Sequence, residues 1–194
     1  AHRAASESAR RVPRVAGFVS GGGRSLENLA AEVRAGKLAI ELALVLTNKA
    51  ACGALERAAR LEIPAIVLDP ARALAPDVFS RDAFTAVESF GCELVVLAGF
   101  LRLLVIPERW SGRVLNIHPS LLPAFGGHGF YGDKVHAAVL ASGVTETGCT
   151  VHYVTNEYDA GPIVLQRRVP VLAGDDVHTL AARVFEAEKL ALPE

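Results

Sequence analysis

The sequence predicts an α/β fold: an open, mostly parallel sheet with helices on both faces and an antiparallel strand pair at its C-terminal end. Three observations carry that expectation. Short apolar runs alternate with longer amphipathic ones, the mark of strand–helix repetition. The short runs are apolar on both faces, as strands of a parallel sheet sandwiched between helices must be. Beyond Asn116 the alternation gives way to two strand-like runs around a turn. Right-handed crossovers then make the first part a doubly wound, Rossmann-like sheet.

Element by element, Val15–Val19 (VAGFV) reads as a first buried strand, followed by SGGGRS and a helix from about Ser25 to Arg34. Glu41–Thr47 is a second strand, CGALERAARL a second helix and Pro64–Leu68 a third strand. Asp77–Phe90 makes a helix with apolar positions Val78, Phe79, Phe84 and Val87. Glu93–Gly99 and Arg113–Ile117 supply the fourth and fifth strands. A Pro/Gly-rich loop leads to a helix at about Lys134–Ser142. Cys149–Thr155 and Pro162–Val171 then form the antiparallel pair, and Asp176–Leu192 the last helix.

At 194 residues, 51 % apolar and 21 % charged, the chain is globular in composition and sized for one domain, expected over residues 14–194. Residues 1–13 read as a disordered extension or expression remnant. A net charge of −1 with scattered basic residues argues against a nucleic-acid surface. Cys52, Cys92 and Cys149 form no CxxC and are odd in number, which disfavours a metal or disulfide framework and suits a reducing cytosol. No apolar run approaches the roughly 20 residues of a membrane span.

The loop SGGGRS sits where a strand hands over to a helix. Glycines let the backbone approach a ligand closely, and the helix N-terminus offers N–H groups to an anion such as phosphate, helped by Arg24 and Ser25. A merely flexible turn is the alternative. The spacing fits neither an ATP-type P-loop nor a dinucleotide fingerprint, since Leu26 replaces the third glycine and the second strand ends in Thr47–Asn48 without a ribose-binding acid.

Asn116 and His118 leave the fifth strand at its carboxyl end, where open α/β sheets place ligands. Two apart on an extended chain, their side chains point the same way. An amide can stabilise an oxyanion while an imidazole takes and returns a proton. A turn-forming Asn and a packed His fit the same positions. Asp159, in TNEYDAGP, could fix the imidazole tautomer and raise the His118 pKa. Spacing alone cannot bring it to His118.

The segments SGGGRSLENL, VVLAGFLRLL, NIHPSLLPAFGG and GCTVHYVTNEYDAGPIVLQ closely resemble the folate-dependent formyltransferases, and the likeness runs from about Val15 to Glu188. The resemblance implies that Asn116, His118 and Asp159 are catalytic. It makes Gly21, Gly22, Gly23, Arg24 and Ser25 a substrate-phosphate loop joined by Arg81, and places Glu188 at the substrate. Folate binding would fall to Arg102, Leu103, Leu104, Asn116, Thr155, Glu157 and Asp159, with His152 in support. It further implies 10-formyltetrahydrofolate as co-substrate, no tightly bound cofactor or metal, a cytoplasmic setting, a possible homodimer, and no nucleic-acid or membrane partner. The glycine loop points to the branch whose acceptor is glycinamide ribonucleotide.

Departures from the family pattern are Gly22 and Arg24 in the loop, and Phe185 where some members carry a polar or basic phosphate contact, which Arg24 would replace. HGFYGDKVH is a longer variant of the segment after PSLLP, and the chain stops at Glu194, short of its relatives. His128, His136 and His178 read as surface or helix residues, Cys92 and Cys149 as small buried ones, and Trp110 as packing. Competing readings are a formyltetrahydrofolate hydrolase, a transfer-RNA formyltransferase and a non-catalytic phosphate-binding module.

Overall fold

The computed structural model describes residues 11–69, 71 and 75–194, so the expected extension over residues 1–13 lies largely outside the described residues. Seven strands form one sheet in the order β3-β2-β1-β4-β5-β6-β7. Strands β1 (Arg14–Val19), β2 (Glu41–Thr47), β3 (Ala65–Val67), β4 (Leu94–Leu97) and β5 (Val114–His118) run parallel. Strands β6 (Glu146–Tyr153) and β7 (Ile163–Pro170) are antiparallel to their neighbours, as the two late strand-like runs around a turn implied.

Alternation along β1 sorts the helices. Ala16 and Phe18 face α3 (Pro76–Ser89), where Phe79, Ala83, Phe84 and Val87 are fully buried. Val15 and Val19 face α1 (Arg24–Arg34) and α2 (Gly53–Arg60). Gly17 is on that second face, and a Cβ there would lie 2.2 Å from a Leu26 methyl, so its absence lets α1 sit close to the sheet. Helices α4 (Asp133–Ser142) and α5 (Val177–Ala191) cover β5–β7, burying Val135, Val139, Leu180 and Val184 against Ile117, Cys149 and Val151. Asn28 of α1 donates to the Lys189 carbonyl of α5 at 2.9 Å, tying the two helix pairs together. Asp176 caps α5 with a reciprocal capping box with Thr179.

One expectation fails at the edge. β3 is not sandwiched: Ala65 and Val67 are exposed, because β3 is the terminal strand of the sheet. Trp110, expected to pack, does so, with its ring 5.3 Å from Phe84 and its Nε1–H donated to Glu88 at 3.0 Å. Cys92 and Cys149 are buried, and all three cysteines are free. Among the described residues no helix is long and apolar enough to cross a membrane.

Phe84 joins the Phe18 and Trp110 rings at the centre of the α3 face. Phe84→Ala is expected to cost about 3–5 kcal/mol of unfolding free energy, read from urea titrations at constant m-value.

Candidate active site

The strand order reverses between β1 and β4, and a cavity of about 500 Å³ opens there, beyond the carboxyl ends of β1, β4 and β5. Gly22, Gly23, Arg24 and Ser25 line one end, and Asn116, His118 and Asp159 another. A second cavity of about 50 Å³, lined by Leu97, Arg102, Leu103, Leu104, Val154, Thr155 and Glu157, also touches Asn116 and Asp159. The two cavities therefore share the Asn116–Asp159 pair.

Cross-strand register builds the polar cluster. Asn116 of β5 is paired with His152 of β6, so their side chains meet on one face. His152 Nδ1 lies 2.9 Å from the Tyr153 carbonyl, which can only accept, so Nδ1 carries the hydrogen. Nε2 must then accept, and the Asn116 amide donates to it at 3.0 Å. This chain of partners sets the amide orientation and aims the second Nδ2 hydrogen at Asp159 Oδ1, at a long 3.4 Å. His152 is thus a bonded partner of Asn116 and not plain packing.

His118 follows the same logic. Its Nε2 is 2.8 Å from the Phe125 carbonyl, so that nitrogen is protonated and Nδ1 presents a lone pair, 3.5 Å from Asp159 Oδ2. Phe125 has φ of 55°, a left-handed conformation costly for a bulky residue, which directs its carbonyl to the ring. The tautomer is consequently fixed by Phe125 and not, as expected, by Asp159. Beyond His118 the loop is braced from the antiparallel strands. Thr150, opposite His118, donates to the Ser120 carbonyl at 2.7 Å and accepts from Leu122 N–H at 3.0 Å. Gln166 of β7 donates to Thr150 and to the Leu122 carbonyl, each at 2.9 Å.

Asp159 reaches the cluster from the β6–β7 loop with φ of 52°. A Cβ on Gly161 would lie 1.8 Å from the Tyr153 carbonyl, so only glycine lets that loop fold back. Gly127 N–H donates to Asp159 Oδ2 at 3.0 Å. Burial works to raise the Asp159 pKa, but the His152 and His118 rings and the Gly127 N–H outweigh it and hold the carboxyl below the usual range. Burial also governs His118. It lowers the ring's pKa more than the Asp159 charge and the Phe125 carbonyl raise it, with His152 lowering it further. The expected upward shift is overturned; the imidazole rests neutral.

The glycine loop is held by α2. Gly23 caps α1 with φ of 79°, Gly21 accepts the Ala54 N–H at 3.1 Å, and Arg57 donates to the Gly22 carbonyl at 2.7 Å and to Glu27 at 2.8 Å. Gly21 is thus tied back to α2, and Gly22–Ser25 line the cavity. Arg24 lies 4.2 Å over the Phe185 ring, beside the position where the family pattern departs. Glu188 lines the same wall, and burial pushes its carboxyl up to about 7 against the opposing pull of Arg24.

Arg81 does not join this loop. It is an exposed α3 residue, on the sheet face opposite α1, and its guanidinium lies 3.5 Å from Asp82. Ser80 beside it accepts the Val105 N–H at 2.8 Å, so Arg81 adjoins the segment leading from the smaller cavity. Arg102 lies over the Phe79 ring at 4.4 Å. His136, expected at the surface or on a helix, is on α4, but it is 5 % exposed and lines the larger cavity, because α4 turns that side toward α5. His128 is exposed and meets Tyr158 edge-on at 5.5 Å at the cavity mouth, while His178 is exposed as expected. Sequence reasoning missed Phe125, Arg57 and Lys134. Phe125 acts through its own backbone carbonyl and Arg57 on that of Gly22, contacts that no residue type announces; Lys134, on the first turn of α4, lines the cavity through a loop whose path spacing does not reveal.

Among the described residues no group of three or more His, Cys, Asp or Glu side chains is arranged to hold a metal ion.

Residues 13–194 match the family described as formyl transferase. The chain is 43% identical over 182 residues to the trifunctional purine biosynthetic protein adenosine-3 of Gallus gallus, covering 93% of this chain and 18% of that protein. It is 39% identical over 189 residues to the chloroplastic phosphoribosylglycinamide formyltransferase of Vigna unguiculata, covering 96% and 61%. The chain thus spans less than two thirds of the length of these curated relatives. Among solved structures, glycinamide ribonucleotide transformylase 1 from Symbiobacterium toebii superposes with a TM-score of 0.88 at 38% identity, covering 94% of this chain and 84% of that one. Phosphoribosylglycinamide formyltransferase from Bacillus halodurans gives 0.85 at 34%, covering 93% and 91%.

The depressed His118 pKa has a stability consequence. Free histidine charges near 6.5, so below that pH the unfolded chain binds a proton that the folded ring refuses. The contribution is complete above about 6.5 and is lost as pH falls through and below it. Urea midpoints of the wild type should therefore fall more steeply from pH 7.5 to 5.5 than those of His118→Gln. The difference between the two isolates His118 from Glu188, whose raised pKa acts with the opposite sign.

Proposed function

The chain belongs to the formyl transferase family, and we propose that it transfers the formyl group of 10-formyltetrahydrofolate to the amine of glycinamide ribonucleotide, a step of purine biosynthesis. The observation that carries this reading is the meeting of two cavities at Asn116 and Asp159. The larger ends on a helix N-terminus with Arg24 and Ser25, which suits a phosphate. The smaller, about 50 Å³, is lined by Leu97, Leu103, Leu104 and Val154 beside Arg102, Thr155 and Glu157, an apolar wall with polar groups against which part of a reduced folate's ring can lie. A substrate spanning each would bring amine and formyl carbon together where the cavities join.

The amine nitrogen bonds to the formyl carbon, the bond from that carbon to the folate nitrogen breaks, and one amine proton ends on the departing nitrogen. His118 enters as the neutral ring, and Nδ1 is the nitrogen with a free lone pair for that proton. Once charged, the ring is stabilised by Asp159, 3.5 Å away. The long Asn116–Asp159 contact is the one that yields, freeing an amide hydrogen for the oxyanion. Glu188 and the Arg24–Phe185 pair serve the ribonucleotide, with Arg24 supplying the cation that Phe185 does not. Three free thiols support a cytosolic setting.

Incubation with 10-formyltetrahydrofolate, with and without glycinamide ribonucleotide, tests the reading. Tetrahydrofolate should form only with the ribonucleotide; formate without it would mark a hydrolase and overturn the proposal. His118→Ala should lower turnover about 100-fold or more with little change in ribonucleotide affinity. Arg57→Ala should do the reverse, raising the KM for the ribonucleotide several-fold at nearly unchanged kcat, since Arg57 holds the Gly22 carbonyl and Glu27 and does not itself line the larger cavity.

A further inference from the structure

His136 is buried to 5 % exposure on α4, yet it lines the larger cavity. Among the described residues its Nδ1 is sealed from solvent and has no hydrogen-bond partner. A hydrogen on that nitrogen would be a buried donor with nothing to accept it, so the neutral ring carries its hydrogen on Nε2. Nε2 is not sealed in this way, and His136 lines the cavity, so Nε2 is the ring nitrogen left to meet a ligand there. The ring thus presents one neutral donor. Burial disfavours the charged form, His118 of β5 adds to it, and together they outweigh the opposing pull of Asp133 on the first turn of the same helix.

Its place in the cavity names the ligand group. The phosphate end is the α1 N-terminus with Arg24, and the reacting end is Asn116, His118 and Asp159. α4 packs on α5 through Val135, Val139, Leu180 and Val184, so His136 shares the wall that α5 builds from Ala181, Phe185 and Glu188. One side of that wall meets the anion end, where Arg24 lies over Phe185 at 4.2 Å, and the other meets the reacting end, where His118 is close enough to act on the His136 charge. A neutral donor there suits an uncharged hydroxyl oxygen better than an anion, and the Glu188 carboxyl offers an acceptor for hydroxyl hydrogens.

We propose that His136 binds the sugar of the ribonucleotide substrate, its Nε2–H donating to a ribose hydroxyl oxygen. The proposal rests on the reading of the cavity as the ribonucleotide site. Three variants of the full chain test it: His136→Gln, whose amide nitrogen reaches the Nε2 position; His136→Asn, whose amide nitrogen stops at the Nδ1 position; and His136→Leu. The KM for glycinamide ribonucleotide should rise about 10-fold in the Asn and Leu variants and stay within about 3-fold of wild type in Gln. The KM for 10-formyltetrahydrofolate should be unchanged in all three. Wild-type affinity in His136→Leu, or equal losses in Gln and Asn, would overturn the assignment.

Imidazole ¹⁵N spectra of the wild type supply a readout that survives any folding defect of the variants. The His136 ring should be neutral with Nε2 protonated between pH 6 and 8. Its Nε2 resonance should move with ribonucleotide and not with folate alone. A protonated Nδ1, or no movement, sinks the proposal. Formyl transfer by the wild type in the same preparations keeps the broader reading standing if only this one fails.

Discussion

Asp159 is the carboxylate on which the site is strung, because it ties three separate stretches of chain at one point. Its Oδ2 accepts the Gly127 N–H of the loop after β5 and faces His118, while its Oδ1 faces Asn116 of β5 and His152 of β6. It can do so only because the β6–β7 loop folds back over the Tyr153 carbonyl at Gly161 and turns left-handed at Asp159 itself. That same Tyr153 carbonyl fixes the tautomer of His152, which in turn orients Asn116. One backbone geometry therefore sets both the carboxylate and the amide.

The proton chemistry follows from a competition of environments. Beside a carboxylate an exposed imidazole would be charged at neutral pH. Here His118 is buried, and desolvation outweighs the Asp159 charge. The result is a base and not a resident cation: Nε2–H is committed to Phe125, Nδ1 is free to accept, and the carboxylate that failed to charge the ring at rest is in place to hold the charge once it arrives. Asp159 stays ionised throughout because its own partners more than offset burial.

How far this was legible in the sequence depends on what each feature is made of. The strand–helix alternation, the antiparallel end pair, the glycine turn and the Asn116–His118 strand end all rest on local periodicity or spacing, and the structure has them. β3 misled because an apolar run of parallel-strand type does not declare that the strand lies at the sheet edge, where Ile66 is packed but Ala65 and Val67 are left exposed. The His118 shift was read with the wrong sign because spacing shows a possible partner and hides burial. Arg81 was assigned to the phosphate loop, but α3 lies on the other face of the sheet, and a face is decided by handed crossovers rather than by residue type. His136 was discounted on a helix whose buried side is chosen by α5, far away in sequence.

The glycine loop shows why the two ends of the cavity are built differently. The reacting end needs charge held in a fixed direction, and the fold provides it through buried carbonyls and a carboxylate that cannot move. The anion end needs close backbone approach, so it uses residues without side chains, and these are floppy unless braced. Arg57 and the Ala54 N–H brace the Gly22 and Gly21 carbonyls from α2, where a Cβ on Gly23 would come within 3.0 Å of Ala54. The amide hydrogens of α1 are left facing the cavity, with the Arg24 guanidinium laid on Phe185 rather than on a carboxylate. A cation held by an aromatic face keeps its charge available to an incoming anion, whereas one already paired to a carboxylate would have to surrender that partner first.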